Sequence, residues 1–110
     1  MYTVYLICAE IDNKKLYKIG YTKREPEQRI KEFKTGNASQ FYIIETFQSG
    51  WGTKIEAQIH KYFKSKKISG EWFDLDDDDL KKFTTQCQLI HDNLELISTK
   101  NTYYLDRGDF

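Results

Sequence analysis

A chain of 110 residues with 39% apolar and 15% aromatic side chains is one packed domain of modest size. It needs no disulfides to bury a core, and its composition excludes a disordered tail. No apolar run approaches the roughly 20 residues of a membrane span, and Glu10, Asp12 and Lys14 arrive too early for a secretory leader. The net charge of zero excludes a uniformly basic binder, but it is unevenly divided. Residues 1–67 carry thirteen Lys and Arg against seven Asp and Glu, net +6, whereas residues 68–110 carry four against ten, net −6.

Tyr2–Ala9 is rich in β-branched and aromatic residues and predicts a strand. Asp12-Asn13-Lys14-Lys15 is a polar link, and Leu16–Gly20 is a second strand, so the two form a hairpin. Pro26 suits the first turn of a helix running to about Lys34. Ile30 and Phe33 lie on its apolar face, and Thr35-Gly36-Asn37 stops it. Phe41–Phe47 reads as a third strand. Residues from Gly52 or Thr53 to Lys66 form a second helix with Ile55, Ile59, Tyr62 and Phe63 in one stripe. Glu56 and His60 are four apart on the same face of it.

Gly70–Leu75 is a short extended stretch. Asp74 or Asp76 caps a third helix whose first turn holds Asp76–Asp79, where the helix dipole favours negative charge. Leu80, Phe83, Cys87, Ile90, Leu94 and Ile97 then mark an amphipathic helix ending near Ser98. The order ββαβαβα predicts an α+β domain, residues 1–98, with a small, mainly antiparallel sheet flanked by helices; residues 99–110 form a tail without clear period. Cys8 and Cys87 are far apart, which suits two buried thiols in a reduced, intracellular setting. With His60 and His91 they show no zinc-ligand spacing.

Val4-Tyr5-Leu6, Lys18-Ile19-Gly20, Arg29 and Glu56, in that order, resemble the motifs of the GIY-YIG endonuclease superfamily, most closely its compact phage- and virus-type branch. Thr35-Gly36-Asn37 and Gly70-Glu71-Trp72-Phe73 are similar to that branch as well. The resemblance covers about residues 2–75. It implies a Mg²⁺-dependent (or Mn²⁺-dependent) DNA endonuclease that hydrolyses phosphodiester bonds, acting inside a cell, including a phage- or virus-infected one. Tyr5 is implied to activate the attacking water, Arg29 to contact the phosphate and Glu56 to hold the metal. Lys18 stands where most of the family has Tyr, and the resemblance implies that it polarises or deprotonates the Tyr5 phenol. Phe33 stands where many relatives carry a His or Tyr.

General chemistry fits these roles. A guanidinium fork matches two phosphate oxygens, and one carboxylate suffices for a Mg²⁺ that keeps its waters and borrows phosphate oxygens. Tyr17, His60, Asn37 and Glu71 are auxiliary candidates, although alternation sends Tyr17 to the opposite sheet face from Lys18. Trp72 and Phe73 read as core. The expected partner is DNA, with no membrane association, and the chain is a monomer or weak homodimer. Two alternatives stay open. One is a catalytically weak or inactive nucleic-acid-binding module of the same fold, favoured by the Lys18 and Phe33 departures. The other is a dimeric interaction protein built on the helix over residues 80–97.

Overall fold

The first hairpin turns on two residues. Asp12 and Asn13 both adopt positive φ, 51° and 66°. That pair of left-handed conformations defines a turn whose twist matches the strands it joins, and Asp and Asn tolerate the region better than most side chains. The polar link is therefore shorter than the four residues expected, and both strands are longer. β1 spans Tyr2–Ile11 and β2 Lys14–Thr22, in register from Ile11↔Lys14 to Thr3↔Thr22.

The computed structural model describes residues 1–31 and 40–106. After β2 come α1 (Pro26–Lys31), β3 (Gln40–Ser49) and α2 (Gly52–Tyr62). A single 3₁₀ turn (Lys64–Lys66), β4 (Lys67–Ser69), β5 (Trp72–Phe73) and α3 (Asp77–Asp106) follow. The expected helix end at Lys34, its stop at Thr35-Gly36-Asn37, and Phe33 lie outside the described residues. The stretch expected as one extended segment near Gly70 is a tight hairpin, because Gly70 adopts φ 55° and folds β5 back on β4. Among the described residues the strands form one antiparallel sheet of order β3-β1-β2-β5-β4, with three helices beside it: an α+β domain, as the sequence implies.

β1 is an interior strand, paired with β3 on one side and β2 on the other, and residues 3–9 are buried without interruption. Alternation divides its side chains between two covered faces. Val4, Leu6 and Cys8, with Tyr17 and Ile19, pack on Ile55, Ile59 and Phe63 of the α2 segment and on Phe83, Cys87 and Ile90 of α3. Tyr5 and Ile7 face the other way, with Phe41 and Ile43. The β1–β3 register slips between Leu6↔Glu45 and Ile7↔Ile43, so Ile44 is the extra residue of a β-bulge. The bulge puts Ile44 and Phe47, an odd number of residues apart, against the same core.

α3 begins with a reciprocal cap. Asp79 N–H donates to Asp76 Oδ1 at 2.8 Å, and Asp76 N–H donates to Asp79 Oδ2 at 2.9 Å, the geometry of a capping box. Lys66 Nζ joins both carboxylates at 3.3 and 2.8 Å, so these acids close a helix end. The helix passes its expected end at Ser98 and reaches Asp106, 30 residues in all. At 1.5 Å per residue that is about 45 Å, which accounts for most of the 58 Å long axis. Ile97, expected in the buried stripe, is exposed. Cys8 and Cys87 are free and buried, and burial pushes the Cys87 thiol up to about 12. Among the described residues no helix is long and apolar enough to cross a membrane.

Candidate active site

The site forms where β2 loses its outer neighbour. β5 pairs with β2 at Tyr17 and Lys18, and Ile19 N–H donates to the Glu71 carbonyl at 3.0 Å. The next residue, Gly20, lies opposite Tyr5 in the β1–β2 register. A Cβ at Gly20 would fall 2.7 Å from Tyr5 Cζ and 2.5 Å from Glu71 Oε1, and would overlap the Tyr5 hydroxyl. The missing side chain is what lets the phenol and the Glu71 carboxylate lie against the β2 backbone.

Around that point lies a cleft of about 280 Å³ lined by Tyr5, Tyr21, Arg29, Glu56 and Glu71. Its residues come from β1, β2, α1, α2 and the β4–β5 turn, so chain segments more than sixty residues apart meet there. Tyr5, Arg29 and Glu56 therefore share one concave surface. Glu71, only an auxiliary candidate from sequence, lines it as fully as they do. Tyr21 was not anticipated. The available signal was its place directly after Ile19-Gly20, where the cleft has its floor.

Burial raises the Tyr5 phenol to about 12, and the charge of Glu71 pushes the same way, with a smaller push from Glu56. The Arg29 guanidinium opposes them through its charge and a hydrogen bond. Arg29 is thus a cation that acts on the phenol. Lys18 shares the Tyr5 face, since it stands opposite Ile7. Its ammonium lies 3.9 Å from Glu71 Oε2 and 5.2 Å from the centroid of the Trp72 ring, and its charge lowers the Glu56 carboxyl. Arg29 thus acts on the phenol directly, and Lys18, expected to act on it too, also meets the two carboxylates.

The Glu56 carboxyl is held above its usual range, first by burial and also by the charge of Glu71, against the opposing effects of His60 and Lys18. His60 Nε2 lies 2.9 Å from the Ile19 carbonyl oxygen and 3.2 Å from Glu56 Oε1. Both partners are acceptors when the carboxylate is ionised, so Nε2 carries a proton and donates. The ring also meets Phe73 edge to face, with centroids 4.9 Å apart. His60 is therefore a brace that orients Glu56 and ties α2 to β2. Tyr17 lies on the opposite sheet face, in the core. Its phenol is raised first by burial and then by Cys8, which removes it from the auxiliary candidates. Phe73 is fully buried in the core, as expected, whereas Trp72, also read as core, is only partly buried and meets the Lys18 ammonium. Asn37 lies outside the described residues.

Two carboxylates in one small cleft, one with its ionised form disfavoured by burial and by the other, make an environment that a cation relieves. A guanidinium on the same wall suits an anion with several oxygens. Together they suit an anionic ester accompanied by a divalent metal. The profile of the T5orf172 domain matches residues 2–95. No curated protein and no solved structure matches the chain.

Proposed function

The chain belongs to the T5orf172 domain family, and from that premise we propose that it is a Mg²⁺-dependent DNA endonuclease of the GIY-YIG type. Membership supports a nuclease-like or nucleic-acid-binding module. The observation that carries the finer reading is the cleft, where Tyr5, Arg29, Glu56 and Glu71 line one surface.

The residues divide the work of phosphodiester hydrolysis as follows. Arg29 binds the scissile phosphate through its fork of donors and stabilises the charge that builds on phosphorus-bound oxygens. Tyr5, neutral at pH 7 with its phenol at about 12, accepts a proton from the attacking water as its own hydrogen passes to a carboxylate. Glu71 is placed for that, because its Oε1 and the Tyr5 hydroxyl flank the same Gly20. His60 holds Glu56 in position, and Lys18 keeps Glu71 turned toward the cleft. Glu56 is the residue that would hold Mg²⁺ or Mn²⁺. One carboxylate would suffice for an ion that keeps its waters and borrows phosphate oxygens. A metal held there would supply Lewis-acid neutralisation of the leaving 3′ oxygen and would offset the carboxylate charges.

A second reading, a binding module that does not cut, draws on the high phenol pKa of Tyr5 and on Lys18 in place of the family's usual Tyr. Labelled duplex, branched and single-stranded DNA, incubated with and without Mg²⁺ or Mn²⁺, separates the two. The nuclease reading expects metal-dependent cleavage that Glu56→Gln abolishes while DNA binding remains. Binding without cleavage on every substrate and with either metal selects the second reading.

A further inference from the structure

We propose that Tyr21, backed by Tyr2 and Lys23, is a stacking platform for an unpaired nucleobase, so that the substrate carries a single-stranded segment beside the cleaved bond. This rests on the reading of the cleft as a phosphodiester site and names its substrate class.

Tyr21 is 41% exposed although it lies within a strand, and it lines the same cleft as Arg29 and Glu56. A tyrosine that leaves this much of its ring in water contributes little to the core, so packing alone does not account for it. It is nevertheless held firmly. It meets the Tyr2 ring edge to face, with centroids 5.7 Å apart and planes at 78°. Tyr2 in turn is seated over Gly52, where any Cβ would overlap its side chain. That close approach at the start of α2 fixes the lower ring, and the lower ring fixes the upper one. Lys23 Nζ lies 5.1 Å from the centroid of Tyr2, within cation–π range, and places a positive charge at the rim.

A braced, half-exposed ring with a cation beside it has the composition of surfaces that bind single strands. There, each base stacks on an aromatic face and the phosphates follow positive charge. Stacking tolerates any sequence, because every base offers a π face. A fully paired base has both faces covered by its neighbours and cannot use the ring unless it leaves the helix. With Arg29 on the phosphate, Tyr21, which lines the same cleft, receives the base of an adjacent nucleotide.

The test is binding measured by fluorescence anisotropy without divalent metal, so that no strand is cut. The probes are an oligothymidine and an abasic strand with the same number of phosphates. Wild type is expected to bind the oligothymidine at least about tenfold more tightly, the scale of one stacked base. Tyr21→Phe should keep that preference. Tyr21→Ala should lose it while its affinity for the abasic strand, set by phosphate contacts, stays unchanged. Equal affinity of the wild type for the two strands overturns the platform without reference to any variant, as does a preference retained by Tyr21→Ala. A wild type that binds neither strand overturns the phosphodiester reading as well.

Discussion

Gly20→Ala is the sharpest single perturbation of this site, because its cost comes from geometry alone. The added methyl would lie 2.7 Å from Tyr5 Cζ and 2.5 Å from Glu71 Oε1. Glu71 can swing away cheaply, since its side chain is 41% exposed. Tyr5 cannot, being 1% exposed in an interior strand. Restoring ordinary contact at 3.4 Å requires the ring or the β2 backbone to give by at least about 0.7 Å at Cζ, and by more at the hydroxyl. Overpacking of this kind costs about 1–3 kcal/mol, or a fall in Tm of about 4–20 °C for a domain of this size. Alanine in a strand is otherwise favoured over glycine by about 0.5–1 kcal/mol, so the measured fall understates the clash. Thermal unfolding followed by circular dichroism reads it. Gly50→Ala is the control, because nothing lies within 4 Å of a Cβ there. A displacement approaching 1 Å at a reacting group also costs on the order of 100-fold in rate, so cleavage should fall accordingly at temperatures where the variant is folded. An unchanged Tm in Gly20→Ala would show that the phenol does not lie against β2 and would dismantle the site as described.

Tyr5→Phe should lower cleavage by at least ~100-fold with DNA binding retained, whereas Lys18→Met should cost less, since its charge acts on Glu71 and Glu56; a larger loss in Lys18→Met, from initial rates, would make Lys18 the main group acting on the phenol. Glu56 has a raised carboxyl pKa in the folded protein, so the native state binds its proton more tightly than the unfolded chain does. Its contribution is then most favourable below the unfolded pKa and is lost as pH rises through the folded value. Glu56→Gln should therefore raise Tm at pH 7, with the gain shrinking toward pH 4; denaturation at both pH values checks it, and a variant less stable at pH 7 counts against the assigned burial. Finally, both thiols are buried and that of Cys87 is pushed up to about 12, so a thiol-specific reagent should label neither cysteine until denaturant is added. Rapid labelling of Cys87 in the native protein would show that α3 opens from the core.

The sequence by itself determined what depends on local pattern. The β-branched and aromatic run Tyr2–Ala9 makes a strand in any context that buries it, Pro26 starts a helix because its ring pre-sets φ, and the spacing of Leu80, Phe83, Cys87 and Ile90 defines one helix face. Tyr5, Arg29 and Glu56 were legible because their order along the chain matches a known set of motifs. Tertiary structure decided what depends on distance between segments. The bulge at Ile44 appears only when β3 is laid against β1, since its run of apolar residues shows no alternation to break. Ile97 is exposed although it keeps the helix period, because periodicity does not encode how far along α3 other segments pack. Glu71 and Tyr21 enter the cleft because β5 stops at Lys18 and Gly20 leaves its space to the phenol. Arg29 acts on the Tyr5 phenol because α1 brings it to the cleft, and Lys18 meets Glu71 because β5 pairs beside it. Pattern fixes which face a side chain takes, but the charge it meets depends on which other segment folds back there, and only the packed chain sets that.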